Sequence, residues 1–322
     1  MALPQRTPRV GLALGSGSAR GWAHIGVLKA LAEANIKPDV VCGASIGALV
    51  GAVYAAGELE RFAEWVQSLG MREVFGFMDF NLAGGMLKGE RLIDFWRRNF
   101  ADFNIEDARM PFGAVATDLH SGAEVWLREG SIAQAVRASI ALPGLFTPVI
   151  HEGRLLVDGG LVNPVPVSLA RAMGADIVIA VDLNADLMHR HMRPLGVISS
   201  EVRADQPPEV VETHSAAWVS RIQQGLRSWM PVSTAVGEGQ AAPMPMPSLL
   251  DVVMTSVNIM QMRITRSRIA GDPPELVISP RLAHLGLLDF HRAQEAIDQG
   301  YEAASAALPA LKHLGWNPES TS

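Results

Sequence analysis

Twice within its first 56 residues the chain passes from a short β-branched or aliphatic run, through a turn of small residues, into a segment with helical patterning. The first passage is Val10 to Leu14, the loop Gly15-Ser16-Gly17-Ser18-Ala19-Arg20-Gly21, and a helix from about Trp22 to Ala34. In that helix Ile25, Leu28 and Leu31 or Ala32 are spaced to bury one face. The second is Val40-Val41-Cys42, the turn Gly43-Ala44-Ser45-Ile46-Gly47, and an apolar run from Ile46 to Ala56. Strand and helix signals keep alternating down to Val181, which predicts an α/β fold with a mostly parallel sheet covered on both faces.

The later elements follow from the same patterning. Leu59 to Leu69 and Glu90 to Phe100 read as helices, separated by a Gly-rich, aromatic-bearing connection from Gly70 to Gly89. Phe112 to Asp118 and Glu124 to Leu127 read as strands around His120-Ser121-Gly122, and Ser131 to Ser139 as a capped helix. Pro148 to Ile150 and Leu155 to Val157 form a hairpin around Glu152-Gly153, ending in Asp158-Gly159-Gly160. A helix, Val167 to Met173, and a strand, Ile177 to Val181, come next. The stretch 184–247 has a different composition, with His189, His191, His214 and the run Pro243-Met244-Pro245-Met246-Pro247. It reads as a variable insertion, in which Val211, Trp218, Ile222, Leu226 and Trp229 pattern a helix that docks on the core or acts as a lid. Beyond it come a helix to about Ile269, a strand Glu275 to Ser279 and a helix from Asp289 to Ala307. One domain, 8–310, with short flexible tails, accommodates all of these.

Composition narrows the function classes. With 48% hydrophobic and 19% charged residues and a net charge of −6, the chain has the make-up of a soluble globular protein and lacks the basic field that nucleic-acid binding requires. The single cysteine, Cys42, excludes an internal disulfide and is expected to serve packing. No apolar signal segment precedes the first strand, so a cytoplasmic location is expected, with room for peripheral contact at a membrane surface. The uncharged stretch Val40 to Gly57 is 18 residues long, but its glycines and the turn at its centre argue against a membrane span. No metal or cofactor is expected, since no acidic or third histidine ligand has helical spacing to His189 and His191.

Three features carry chemistry. Ser45 sits where a strand turns sharply into a helix, a turn that needs small residues two before and two after it, and this exposes its hydroxyl as a candidate nucleophile. Loop 15–21 points backbone N–H groups toward one place, suited to a bound phosphate or to a developing oxyanion. A dinucleotide site would need an acidic residue closing the second strand, and that strand ends instead in the serine turn. Asp158, directly after a buried strand and before two glycines, is placed to present its carboxylate at the sheet edge, although an ordinary Asx turn has the same pattern. All three features follow predicted strands, whose carboxyl ends share one edge in a parallel sheet. His24, His120, His151 and His284 are available as an alternative partner for Ser45, and none is marked by a motif.

The segments Gly11 to Gly17 and Arg20 to Leu28, the turn at Ser45, the run from Val157 through Asp158-Gly159-Gly160 to Val167, and Ala170 to Asp176 resemble the patatin-like phospholipase family. The likeness is to its bacterial branch related to neuropathy target esterase, and it extends over about Val10 to Asn184. The resemblance implies a three-layer α/β/α fold and a Ser45–Asp158 dyad without histidine. It also implies an oxyanion hole from Gly15 to Gly21, with Arg20 organising the loop, and a lipid or acyl-ester substrate of lysophospholipase or phospholipase A type. Ser16 and Ser18 depart from the family's run of glycines. A lipid-binding or regulatory role, or acyl transfer to another alcohol, is the alternative on the same fold.

Overall fold

Neighbouring residues of the first strand enter different cores: Leu12 and Leu14 pack into one, Ala13 into the other. The second strand divides the same way, Val41 facing the first core and Val40, Cys42 and Ala44 the second. Strand side chains alternate between faces, so a sheet with a core on each side has to be covered on both. The computed structural model describes residues 7–70, 72–73, 89–100, 103–187 and 249–313. In these, the sheet has eight strands. They are β1 (Val10–Leu14), β2 (Val40–Ala44), β3 (Phe112–Asp118), β4 (Glu124–Leu127), β5 (Val149–His151), β6 (Arg154–Asp158), β7 (Ile177–Val181) and β8 (Leu276–Ile278). The order is β5-β6-β3-β2-β1-β7-β8, with β4 also paired to β3.

The central strands β3, β2, β1, β7 and β8 are mutually parallel, and the hairpin β5–β6 and strand β4 add antiparallel pairs. The larger core lies under α1 (Ala23–Glu33), α2 (Ile46–Ala56), α3 (Leu59–Gln67), α4 (Glu90–Asn99), α5 (Ile132–Ser139) and α8 (Ala293–Ala307). At its rim Phe62 meets the rings of Trp22, Trp65 and Phe100 with centroids 5.7, 5.4 and 5.5 Å away. The smaller core lies under α6 (Val167–Ala172), through Val167, Leu169 and Ala170. The long helix α7 (Leu249–Gly271) buries Met254, Val257, Gln261, Met262 and Thr265, and α9 (Pro309–His313) ends the described chain. Among the described residues no helix is long and apolar enough to cross a membrane.

The expected elements are present with small shifts at their ends. Helix α8 starts at Ala293, not at Asp289. The Asp289 carboxylate is already used in a turn, where it accepts from the Gly286 N–H at 2.8 Å. Most of the Gly70 to Gly89 connection lies outside the described residues. So does the 184–247 stretch from residue 188 on, with its histidines and its patterned helix.

The topology around β3 differs from a plain parallel sheet in one way that matters for the site. Ala114 to Thr117 pair with β4 along one side of β3. The other side is shared, with β2 beside Phe112 to Val115 and β6 beside Ala116 to Asp118. Because β2 runs parallel to β3 and β6 antiparallel, their last residues meet head-on, Ala44 opposite Val115 and Asp158 opposite Ala116. The shared carboxyl edge expected for Asp158 is therefore not what brings it to Ser45. It arrives from the opposite direction on a hairpin strand.

Candidate active site

Ser45 joins β2 to α2 with φ 56° and ψ −125°, a conformation that a side chain rarely adopts and that costs roughly 1 to 3 kcal/mol. The turn is possible because Gly43 and Gly47, two residues to either side, lack side chains. A Cβ on Gly43 would lie 2.3 Å from the Gly47 carbonyl, and one on Gly47 would lie 2.2 Å from the Leu14 carbonyl oxygen. Ser139 ties the turn down: its hydroxyl accepts from the Ser45 N–H at 2.9 Å and donates to the Val115 carbonyl at 2.6 Å. Ala44 and Ile46, which flank the serine, are both buried.

The Ser45 hydroxyl donates to Asp158 Oδ2 at 2.6 Å, within the range in which a carboxylate can take the proton directly. Asp158 is 1% exposed. Its Oδ1 accepts from the Gly160 N–H at 2.7 Å, and its backbone carbonyl accepts from Thr117 Oγ1 at 2.8 Å. Gly159 follows directly, with its Cα packed on the Val115 backbone so closely that a Cβ would lie 2.0 Å from the carbonyl oxygen. Burial pushes the Asp158 carboxyl up to about 7, against the hydrogen bonds from Ser45 and Gly160, which pull it down. A carboxyl that titrates near neutrality and accepts a hydrogen bond from a serine hydroxyl suits proton transfer at physiological pH.

The loop after β1 sorts its N–H groups into two sets. Those of Gly15, Ser16, Ala19 and Arg20 donate to the carbonyls of Val181, Pro164, Leu287 and Gly17 at 2.8 to 3.3 Å. Among the described residues the N–H groups of Gly17 and Ser18 make no hydrogen bond, and both residues line the cavity that contains Ser45 and Asp158. Ser18, one of the two departures from the family's glycines, takes a positive φ of 53°, and its hydroxyl donates to the Leu287 carbonyl at 2.6 Å. Gly21 lies in the 3-10 turn Ser18–Trp22, pressed against Ile46.

Arg20 is buried, unlike an ordinary surface arginine. Its Nε donates to the Gly17 carbonyl and its terminal nitrogen to Asn258 Oδ1, both at 3.2 Å. Burial lowers its pKa to about 10, opposed by the charge of Asp182, so it stays protonated at neutral pH.

Among the described residues no histidine lines the cavity that contains Ser45 and Asp158. His24 Nε2 donates to the Gly15 carbonyl at 2.8 Å, and burial lowers its pKa to about 4, so it is a neutral strut beneath the loop. His284 pairs with Glu295 at 2.8 Å on the surface, and His120 and His151 line no part of the cavity. Burial also pushes the Cys42 thiol far up, which leaves it unreactive. Among the described residues no cluster of His, Cys, Asp or Glu is arranged to hold a metal.

The cavity that contains Ser45 and Asp158 has a volume of about 130 Å³. Its lining is mostly apolar, with Trp22, Leu49, Trp65, Leu69, Leu142, Phe146, Val257 and Phe290, and Ser16, Gly17, Ser18, Asn258 and Gln261 add polar groups. Sequence patterning did not single out Ser139, Asn258 or Gln261. Ser139 is 94 residues from the turn it anchors, and the two amides are polar positions on a helix in a chain with many.

A family model described as "Patatin-like phospholipase" matches residues 12–171. An NTE family protein of Mycobacterium tuberculosis is 34% identical, over 95% of this chain and 93% of its own length. "Patatin-like phospholipase domain-containing protein 6" of Homo sapiens is 39% identical over 55% of this chain and 13% of its own length. "Lysophospholipase NTE1" of Coccidioides immitis is 28% identical over 96% of this chain and 18% of its own length.

Proposed function

The chain belongs to the patatin-like phospholipase family, in its NTE branch, and from that membership we propose a serine esterase that hydrolyses acyl esters of lipids, of lysophospholipase or phospholipase A type. The observation that carries the reading is the 2.6 Å hydrogen bond from Ser45 to a buried carboxylate in a mostly apolar cavity.

Ser45 Oγ attacks the ester carbonyl carbon while Asp158 takes its proton. The oxyanion that forms is met by the unpaired N–H groups of Gly17 and Ser18, with the N-terminus of the 11-residue helix α2 adding positive potential. Losing one such donor costs about 3 kcal/mol of transition-state stabilisation. The tetrahedral adduct collapses, and the departing alcohol leaves with the proton held by Asp158. Water then attacks the acyl-serine, giving its proton to Asp158. Collapse of that second adduct releases the fatty acid and returns the proton to Ser45.

The mostly apolar lining suits the acyl chain. Substitution of Ser45 by alanine tests the reading: hydrolysis of a p-nitrophenyl ester and labelling by a fluorophosphonate are both expected to disappear. Labelling that persists in the variant contradicts it. Release of free fatty acid, rather than its transfer to an added alcohol, distinguishes the esterase from an acyltransferase. Lipid binding without any release favours a binding protein.

A further inference from the structure

Helix α7 carries two side-chain amides one turn apart, Asn258 and Gln261, and both line the cavity. Their orientations are fixed by their neighbours. Arg20, which can only donate, gives a hydrogen bond to Asn258 Oδ1. The Ser16 carbonyl accepts from Asn184 Nδ2 at 3.2 Å, which turns that nitrogen toward Gln261 Oε1, 3.5 Å away. The Ser16 hydroxyl donates to the same Oε1 at 3.2 Å. Both amide oxygens are thus held by the protein, and both nitrogens face the other way.

Among the described residues neither nitrogen has a hydrogen-bond partner, although Gln261 is only 5% exposed. Both nitrogens are accessible rather than sealed, on residues that line the cavity, so a ligand oxygen that displaces water there can accept from them. The position of the Gln261 nitrogen says which part of a ligand that is. The point where a Gly160 Cβ would stand is 2.5 Å from Gln261 Nε2 and 3.0 Å from Asp158 Oδ1. Gln261 Nε2 therefore stands close to Asp158, whose Oδ2 takes the Ser45 proton and gives it to the departing alcohol, and beside Ser16 of the loop.

We infer that Asn258 and Gln261 form a polar subsite for the alcohol part of the substrate, hydrogen-bonding hydroxyl or phosphate oxygens next to the scissile ester. The inference rests on the esterase reading above and narrows its substrates to acyl esters of an oxygen-rich alcohol such as glycerol or a glycerophosphate. Both amides are uncharged donors, suited to oxygen acceptors generally.

The test compares full-length wild type with Gln261→Glu, which keeps the acceptor oxygen for Ser16, and Gln261→Met, which keeps the bulk. Each is assayed on a 1-monoacylglycerol, a lysophosphatidylcholine and the p-nitrophenyl ester of the same fatty acid. The ratio of kcat/KM for each lipid to that for the aryl ester is expected to fall about tenfold in both variants, as for loss of one hydrogen bond to substrate. A loosened loop lowers all three substrates together, so a ratio that stays within twofold overturns the subsite. An equal fall on both lipids assigns the amides to glycerol hydroxyls, and a larger fall on the lysophospholipid assigns them to phosphate oxygens. Wild-type protein that hydrolyses none of the three removes the esterase reading and the subsite with it; activity with an unchanged ratio removes the subsite alone.

Discussion

Replacing Asp158 by asparagine should stabilise the protein, by an amount that depends on pH. The carboxyl is buried, and burial raises it from the ordinary 3.8 to about 7. Below about pH 3.8 both native and unfolded chains hold this proton, and the carboxyl costs the native state nothing. As pH rises from there the unfolded chain releases the proton first, so the native state loses stability steadily until it ionises too, near 7. The interval between 3.8 and about 7 corresponds to about 4 kcal/mol, a cost carried in full above neutrality. Asparagine removes the charge and keeps the shape: its oxygen can accept from the Gly160 N–H, and its amide can donate to the Ser45 hydroxyl. Melting followed by intrinsic fluorescence across pH should show a Tm for Asp158→Asn that is close to wild type near pH 4 and higher by roughly 5 to 8 °C at pH 9, at about 2 °C per kcal/mol. A gap that stays constant with pH, or a variant less stable at pH 9, would refute the account of Asp158 as a desolvated base.

The same titration should appear in catalysis with the opposite consequence. In the proposed mechanism ionised Asp158 is the active form, so kcat/KM for ester hydrolysis should fall about tenfold per pH unit below about 7, and full activity at pH 5 contradicts the assignment. Ser139→Ala leaves the Ser45 N–H and the Val115 carbonyl without their shared partner, and should lower stability by about 2 kcal/mol in urea titration while slowing acylation of Ser45. Gly43→Ala drives a methyl group into the Gly47 backbone and should cost about 3 kcal/mol; a variant as stable as wild type rules out the turn as described.

Most of the fold was legible because its strands and helices announce themselves locally. Val10 to Leu14 and Ile177 to Val181 are continuous apolar runs, as strands buried on both faces must be, and the turns between elements carry glycine or proline. Ser45 and Asp158 were legible for the same reason, each having its turn chemistry written within two residues. Their manner of meeting was not. The head-on approach of β2 and β6 depends on which stretch of β3 each strand pairs with, and register is a property of the assembled sheet. The division of labour within Gly15 to Gly21 was hidden too, since the carbonyls that occupy four of its N–H groups come from Val181, Pro164, Leu287 and Gly17. Arg20 was assigned to organising the loop by resemblance alone, because Asn258 and Asp182, which lie beside it, are far away in sequence.

The central claim, that Ser45 is the nucleophile and Asp158 its base, is tested most directly by finding where the acyl group goes. Protein mixed with a p-nitrophenyl ester, quenched during the first turnover and digested, can be read by peptide mass spectrometry. The account predicts an acyl adduct on Ser45, formed in wild type and almost absent in Asp158→Asn. An adduct on another residue, or an undiminished rate of Ser45 acylation in Asp158→Asn, contradicts it.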